Sequence, residues 1–416
     1  MRAPHPRGRE PAASPPSSWE PQVLLGLLIS LGAFGVDAML PALTSLASTF
    51  RVGETQAQLV VGAYLLGFSW GQLLFGPLSD AWGRRRVLLA GLLVFWTSSA
   101  AVLWIRDFGW LVAARGVQGL FASSLRTVGT AWVRDRYRGE AMARVMALVQ
   151  SVFVVAPVLA PWVGAYLARR GWPAVFAFLG AVGCVLWGWA LARLQETLPP
   201  AARRPLAWRP LWEACRLVAQ TRESLVGAGL LAVTYGMLYG YLVTAPQLYK
   251  TYLGLSNEAF AAAFAGTALF QLLAMLATWV LVPRLGVRRL LRVGGGYLAG
   301  VALLLPLHAV ALRSVAAFWL HVSLAFFGIT LTFPNATSLA LEPLGRVAGF
   351  ASSAVGFAST FAAGLLGNLL GQWSGGEPVR FAWGWASLAV MAAACSWLLP
   401  SSGPRKIAAE GRSSNG

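Results

Sequence analysis

Long apolar runs alternate along this chain with short clusters of arginine. A helix that crosses a membrane needs about 20 consecutive apolar residues. Twelve windows of that kind can be placed, at roughly 22–46, 57–77, 87–105, 109–128, 143–167, 173–193, 226–248, 259–282, 289–309, 315–337, 347–370 and 381–399. The pattern therefore predicts an all-α membrane protein with twelve transmembrane helices. The connections are short except for the segment 194–225, which carries Pro199, Pro200, Pro205 and Pro210 among several arginines. That segment reads as a linker between an N-terminal six-helix half, 22–193, and a C-terminal six-helix half, 226–399. Tails of 1–21 and 400–416 flank the two halves.

Composition agrees with the pattern. Of 416 residues, 57% are hydrophobic and only 12% charged, against about 25% charged in an ordinary soluble domain. A soluble protein this apolar would expose large greasy patches and aggregate. The net charge of +18 is carried almost wholly by arginine, Lys250 and Lys406 being the only lysines. Such charge could mean nucleic-acid binding, but the arginines cap the ends of apolar runs rather than line one soluble face, and no nucleic-acid partner is expected. The bias toward Arg, Ala and Gly suggests a GC-rich bacterial genome.

The arginines also orient the chain. With the N-terminus inside, the inner loops hold Arg84, Arg85, Arg86, Arg134, Arg136, Arg138 and Arg144, the linker adds Arg203, Arg204, Arg209, Arg216 and Arg222, and a later loop adds Arg284, Arg288, Arg289 and Arg292. The outer loops hold only Arg51, Arg106, Arg169, Arg170, Lys250, Arg313 and Arg380. Positive residues collect on the cytoplasmic side, so both termini are expected there. No small-residue cleavage site follows the first apolar run, which reads as an uncleaved first helix. Cys184, Cys215 and Cys395 are far apart and lack metal spacing. No phosphate-binding Gly-rich loop and no His/Asp/Glu cluster of metal spacing is visible. Neither an enzyme nor a cofactor or metal site is expected.

A faint repeat links the halves. Trp82-Gly83-Arg84-Arg85-Arg86-Val87-Leu88 follows the second span, and Leu285-Gly286-Val287-Arg288-Arg289-Leu290-Leu291 follows the eighth. The first belongs to Gly76-Pro77-Leu78-Ser79-Asp80-Ala81-Trp82-Gly83-Arg84-Arg85-Arg86, which resembles the signature loop of the major facilitator superfamily. Ala81 stands where that family usually has a basic residue. The resemblance implies two six-helix halves around a central cavity. It also makes Gly76, Asp80, Gly83, Arg84 and Arg85 a conformational gate, with Asp80 capping or pairing across the interface between the halves. In the fifth span, Val154 to Gly164 resembles the antiporter motif of the same superfamily through Pro157, Pro161 and Gly164. Further segments resemble the Bcr/CflA drug-resistance subfamily: Val133-Arg134-Asp135-Arg136-Tyr137, Glu196-Thr197-Leu198-Pro199, Ala245-Pro246-Gln247, Phe333-Pro334-Asn335 and Gly349-Phe350-Ala351-Ser352-Ser353.

Two ionisable residues lie inside predicted spans, Asp37 in the first and Arg115 in the fourth. An isolated charge in hydrocarbon costs at least about 2.5–3.5 kcal/mol, so such residues face water or each other. Both lie several residues from the outer ends of their helices and hence at similar depth. Loss of water penalises the charge on Asp37, and a nearby guanidinium offsets that penalty. The pair is the expected site of proton coupling. Tyr64, Gln118, Gln150, Tyr235, Tyr239, Gln271 and Asn335 are polar residues in spans that could line a substrate cavity; His321 reads as a structural residue. The expectation is a secondary active exporter of small amphipathic molecules in a bacterial inner membrane, a monomer in the lipid bilayer, exchanging drug for protons by alternating access. A metabolite exporter, uniporter or importer of the same fold is the alternative.

Overall fold

The computed structural model describes residues 20–399 except 204, 207, 208, 312 and 313, without the side chains of 140, 143, 150, 153, 154, 210, 307–311 and 345–349. Nearly all of the first tail, all of the last and the Gln150 side chain thus lie outside the described residues. Every regular element described is helical. In chain order they are α1 (Glu20–Asp37), α2 (Leu43–Phe50), α3 (Glu54–Ala57), α4 (Leu59–Trp82), α5 (Arg84–Ala101), α6 (Phe108–Arg136), α7 (Gly139–Ala168) and α8 (Pro173–Arg193). There follow α9 (Arg209–Gln220), α10 (Arg222–Pro246), α11 (Asn257–Leu285), α12 (Val287–Ala311), α13 (Val315–Leu341), α14 (Ala348–Ser374) and α15 (Pro378–Trp397).

Counting α1 with α2 and α3 with α4, twelve long helical segments match the twelve apolar windows. Among the described residues, nine of them are long and apolar enough by length and composition to cross a membrane. Of the other three, α6 is diluted by Arg115, Gln118 and Arg126, and α7 and α12 have side chains outside those described. Many large apolar side chains face outward, among them Val185, Leu269, Leu276 and Leu369. In water they would form an aggregating surface; in hydrocarbon they cost nothing. Trp82, Trp104, Trp110 and Trp397 are exposed near helix ends, where interfacial tryptophans anchor a span.

The first apolar window is not one helix. α1 stops at Asp37, and a 3-10 turn at Leu40–Ala42 leads into α2. Pro41 explains the break: its ring lacks an N–H and collides with the carbonyl four residues back, that of Asp37. The proline-rich linker contains a helix, α9, which packs on α14 and α10. By contrast α7 runs unbroken through Pro157 and Pro161.

Packing falls into two groups. α1, α4, α5, α6, α7 and α8 contact one another, as do α10 to α15. The tightest crossing is α4 on α6, and small residues make it possible. A Cβ on Gly67 would lie 2.0 Å from the Gly116 carbonyl oxygen, and one on Gly119 would lie 2.0 Å from that of Tyr64. The repeated loops also share a geometry. α4 meets α5 at Gly83 (φ 98°), and α11 meets α12 at Gly286 (φ 72°). A single residue at positive φ reverses the chain there, a conformation open to glycine without a Cβ penalty.

Arg193 pairs with Glu20 at 2.5 Å, and Arg222 and Arg292 donate to the Leu398 and Leu399 carbonyls. These bonds gather both ends of the described chain at one end of the bundle, here called the terminal end. At the far end the two groups are tied together. Gln58 donates to Gln247 (2.8 Å), Thr251 to Glu54 (2.8 Å) and Gln372 to the Thr55 carbonyl (2.9 Å). Lys250 donates to the Pro41 carbonyl (2.9 Å), from a π-helical turn at Gln247–Tyr252. Arg169 and Glu258 add an exposed pair at 2.6 Å. Between the ends, α4 runs along α14: Trp70 packs on Phe357 and Phe361, and Gln72 donates to Thr360. α7 meets α11 on the other flank.

Candidate functional site

Arg115 is fully buried two turns into α6. Its guanidinium donates to the Val60 carbonyl (3.2 Å), the Gly35 carbonyl (3.1 Å) and Gln118 Oε1 (2.5 Å). It also lies over the Tyr64 ring, 4.3 Å from the centroid. A hydrogen bond to a charged group is worth about 1.5–3 kcal/mol, and a desolvated cation–π contact about 2 kcal/mol. Together these exceed the few kcal/mol that the charge costs in hydrocarbon. Tyr64 is held in turn by donating to the Gly32 carbonyl (2.7 Å), and Gln118 by donating to Ser99. Tyr64 and Gln118, read from sequence as possible cavity residues, thus lie in the packed interior as supports for Arg115.

Asp37 is only 6% exposed, at the last position of α1. It forms no ion pair with Arg115, whose donors are directed elsewhere. Matching depth left open whether the two face water or each other, and among the described residues they make no direct pair. Arg115 grips the backbone at Gly35, two residues before Asp37, rather than its carboxylate. The antiporter-like helix α7 packs against this same break in α1. Gly164 lies so close that a Cβ there would be 2.1 Å from the Ala38 carbonyl oxygen. One small volume therefore joins an unpaired buried carboxylate, a proline break and a glycine contact from α7.

A second group lies at the terminal end. Arg84 pairs with Asp80 (2.5 Å) and Asp135 (2.8 Å), and donates to Ser79 (2.6 Å). Glu196 accepts the Arg84 backbone N–H (2.9 Å), while Arg85 donates to the Leu191 and Leu194 carbonyls. Gly83 leaves room for Glu196, since a Cβ there would meet its carboxylate at 2.3 Å. Among the described residues, all these partners precede α9. Gly76 is the one member of the motif beside the other group, near Ser353 of α14.

Within the second helix group, Tyr235 of α10 stacks on Phe333 of α13 (centroids 4.2 Å apart) and lies beside Tyr239. Asn335 is buried and donates to the Leu331 carbonyl of its own helix. Gln271 is half-buried on α11. The sequence reading missed Arg126. It lies three turns after Arg115 on the same face of α6, is exposed, and is near enough to Tyr239 of α10 to act on it electrostatically. The signal was available: it is an arginine inside the fourth apolar window.

The family description Major Facilitator Superfamily matches residues 24–368. The chain belongs to the major facilitator superfamily. It is 26% identical over 351 residues to a bicyclomycin resistance protein homolog of Haemophilus influenzae, covering 83% of this chain and 87% of that protein. Multidrug resistance protein D of Escherichia coli is 28% identical over 376 residues, with 83% and 87% covered. A chloramphenicol resistance protein of Pseudomonas aeruginosa is 29% identical over 336 residues, with 79% and 76% covered. These relatives agree with the Bcr/CflA resemblance. The fold is shared with the crystal structure of a D-xylose-proton symporter at a TM-score of 0.73 and 17% identity, covering 91% of this chain and 98% of that one. The chain is thus a multi-pass membrane transporter of this superfamily.

Proposed function

We propose that this transporter exports small amphipathic antimicrobials across a bacterial inner membrane in exchange for protons. The observation that carries the coupling is Asp37, a buried carboxylate without a pairing cation among the described residues, at the break in α1 where Gly164 of the antiporter-like helix presses on Ala38. The names of the relatives, resistance proteins for bicyclomycin, chloramphenicol and several drugs, support the substrate class. All twelve long segments cross the bilayer, in halves 22–193 and 226–399, and one copy suffices for transport. Arginine clusters at Arg84, Arg134, Arg222 and Arg288 support a cytoplasmic position for the terminal end. With the ties between the halves at the far end, the path between the halves then opens inward.

In this reading the proton and the substrate compete. Charged Asp37 is costly in its buried setting, and protonation removes that cost. Movement of the halves changes its exposure to water, so the two states differ in proton affinity, as coupling requires. The gate at Asp80, Gly83, Arg84 and Arg85 acts on the equilibrium between states, remote from the cavity. Pro157, Pro161 and Gly164 seal α7 against α1. Tyr235, Tyr239, Gln271 and Arg126 line the substrate path. Gln150 is a further candidate, on α7.

The test is a drug-susceptibility panel in an efflux-deficient host, followed by pH-driven flux in proteoliposomes. Asp37→Asn is expected to reach the membrane and to lose proton-driven export. Undiminished proton-driven flux in that variant would remove Asp37 from the mechanism. Wild-type protein that confers no resistance and moves no drug would overturn the exporter reading.

A further inference from the structure

A groove of about 560 Å3 opens at the terminal end of the first helix group. Its walls include Leu74 and Leu78 of α4, and its floor is Leu120 and Phe121 of α6. Trp82, Arg86 and Arg203 stand at its mouth. Leu74 is eight residues from the end of α4 and Leu120 sixteen from the end of α6, so the groove runs roughly 12–24 Å inward at 1.5 Å per residue. One leaflet of hydrocarbon is about 15 Å deep, so the groove reaches among the acyl chains.

The two arginines at the mouth are short of acceptors. Arg86 is exposed and makes no hydrogen bond or ion pair among the described residues. Arg203 reaches Glu196 only at 4.0 Å, and its Nε is buried with no acceptor. A buried donor without an acceptor is a cost that a ligand oxygen removes. Two guanidiniums above an apolar slot, beside an interfacial tryptophan, select a molecule with an anionic head and an apolar tail. A free inorganic anion leaves the slot empty, and a lipid of no net charge leaves the arginines unmatched.

We propose that this groove binds an anionic phospholipid of the leaflet at the terminal end, with its phosphodiester on Arg86 and Arg203 and one acyl chain between α4, α5 and α6. The site lies apart from Asp37 and Arg126, and it requires the membrane reading but no particular substrate. It adjoins the gate, because Glu196 accepts the Arg84 N–H and is also the carboxylate nearest Arg203. Drawing Arg203 onto a phosphate leaves Glu196 to Arg84 alone.

The experiment titrates the purified full-length chain with phosphatidylglycerol or phosphatidylcholine and reads bound lipid by native mass spectrometry. Phosphatidylglycerol is expected to bind at least about tenfold tighter, given roughly 1 kcal/mol per interfacial arginine. The double variant Arg86→Gln/Arg203→Gln is expected to bind both lipids alike. Ala90→Trp, which fills the slot from α5 and keeps both arginines, is expected to lose the tight phosphatidylglycerol adduct. Inorganic phosphate is expected not to displace it. Equal binding of the two lipids by the wild type, a retained preference in the double variant, displacement by phosphate, or an unchanged adduct in Ala90→Trp would each overturn the proposal. Elution and thermal unfolding unchanged from wild type establish that the variants are folded.

Discussion

At the scale of single residues, three ionisable groups in the membrane interior have three different settings. Arg115 is enclosed, with carbonyls and a ring around its charge. Asp37 is enclosed without such partners among the described residues, and Arg126 is exposed, with its charge acting on Tyr239 of α10. A guanidinium facing aromatic rings in a low-dielectric cleft favours neutral or anionic substrates and repels cations. Arg126→Gln is therefore expected to raise export of a lipophilic aromatic cation relative to neutral chloramphenicol by about tenfold or more. Competition flux with ethidium and chloramphenicol checks this; a ratio equal to wild type would remove Arg126 from substrate selection. Depth was legible in the sequence for Asp37 and Arg115, because rise per residue is constant in a helix. Their failure to pair was not, because depth carries no information about which side of each helix faces the other. That depends on the α4–α6 crossing, which brings the Val60 carbonyl to Arg115.

At the scale of elements, the sequence shows where helices run better than where they stop being helical. Hydropathy sees Leu40, Pro41 and Leu43 as part of one apolar run, although Pro41 removes the hydrogen bond that would carry α1 past Asp37. The helix in the linker escaped notice for the opposite reason: prolines and arginines mark a loop, yet Leu211, Ala214 and Val218 form a buried stripe at helical spacing on α9. The antiporter-like segment was legible as a motif, but its contact was not. Gly164→Ala is expected to push α7 off Ala38, destabilise the protein by about 1–3 kcal/mol and reduce proton-driven flux more than drug binding. Thermal unfolding in detergent and flux in proteoliposomes measure the two effects. A variant with wild-type flux would mean that the α1–α7 contact is not needed for coupling.

At the scale of the whole molecule, the ties between the halves are concentrated at the far end. Lys250 is the strongest of them, since a charged donor to a carbonyl outweighs an exposed pair such as Arg169–Glu258, which is worth about 0–1 kcal/mol. Lys250→Ala is expected to shift the balance about tenfold toward a state open at the far end. Spin labels at Ser48 and Ala262, in a background without the three native cysteines, are expected to move apart. An unchanged distance distribution would show that Lys250 is not a clamp. The terminal-end network behaves differently, because every partner of Arg84 among the described residues lies before α9. The ribosome has therefore emitted all the groups that satisfy this buried guanidinium before α10 is made. The first six helices can close their charge network while the rest of the chain is still being synthesised, whereas α9, resting on α14, must wait. Two polypeptides divided between Ala202 and Arg209 and produced together are accordingly expected to assemble into an active transporter, and recovery of drug resistance from the two pieces is the measure of it.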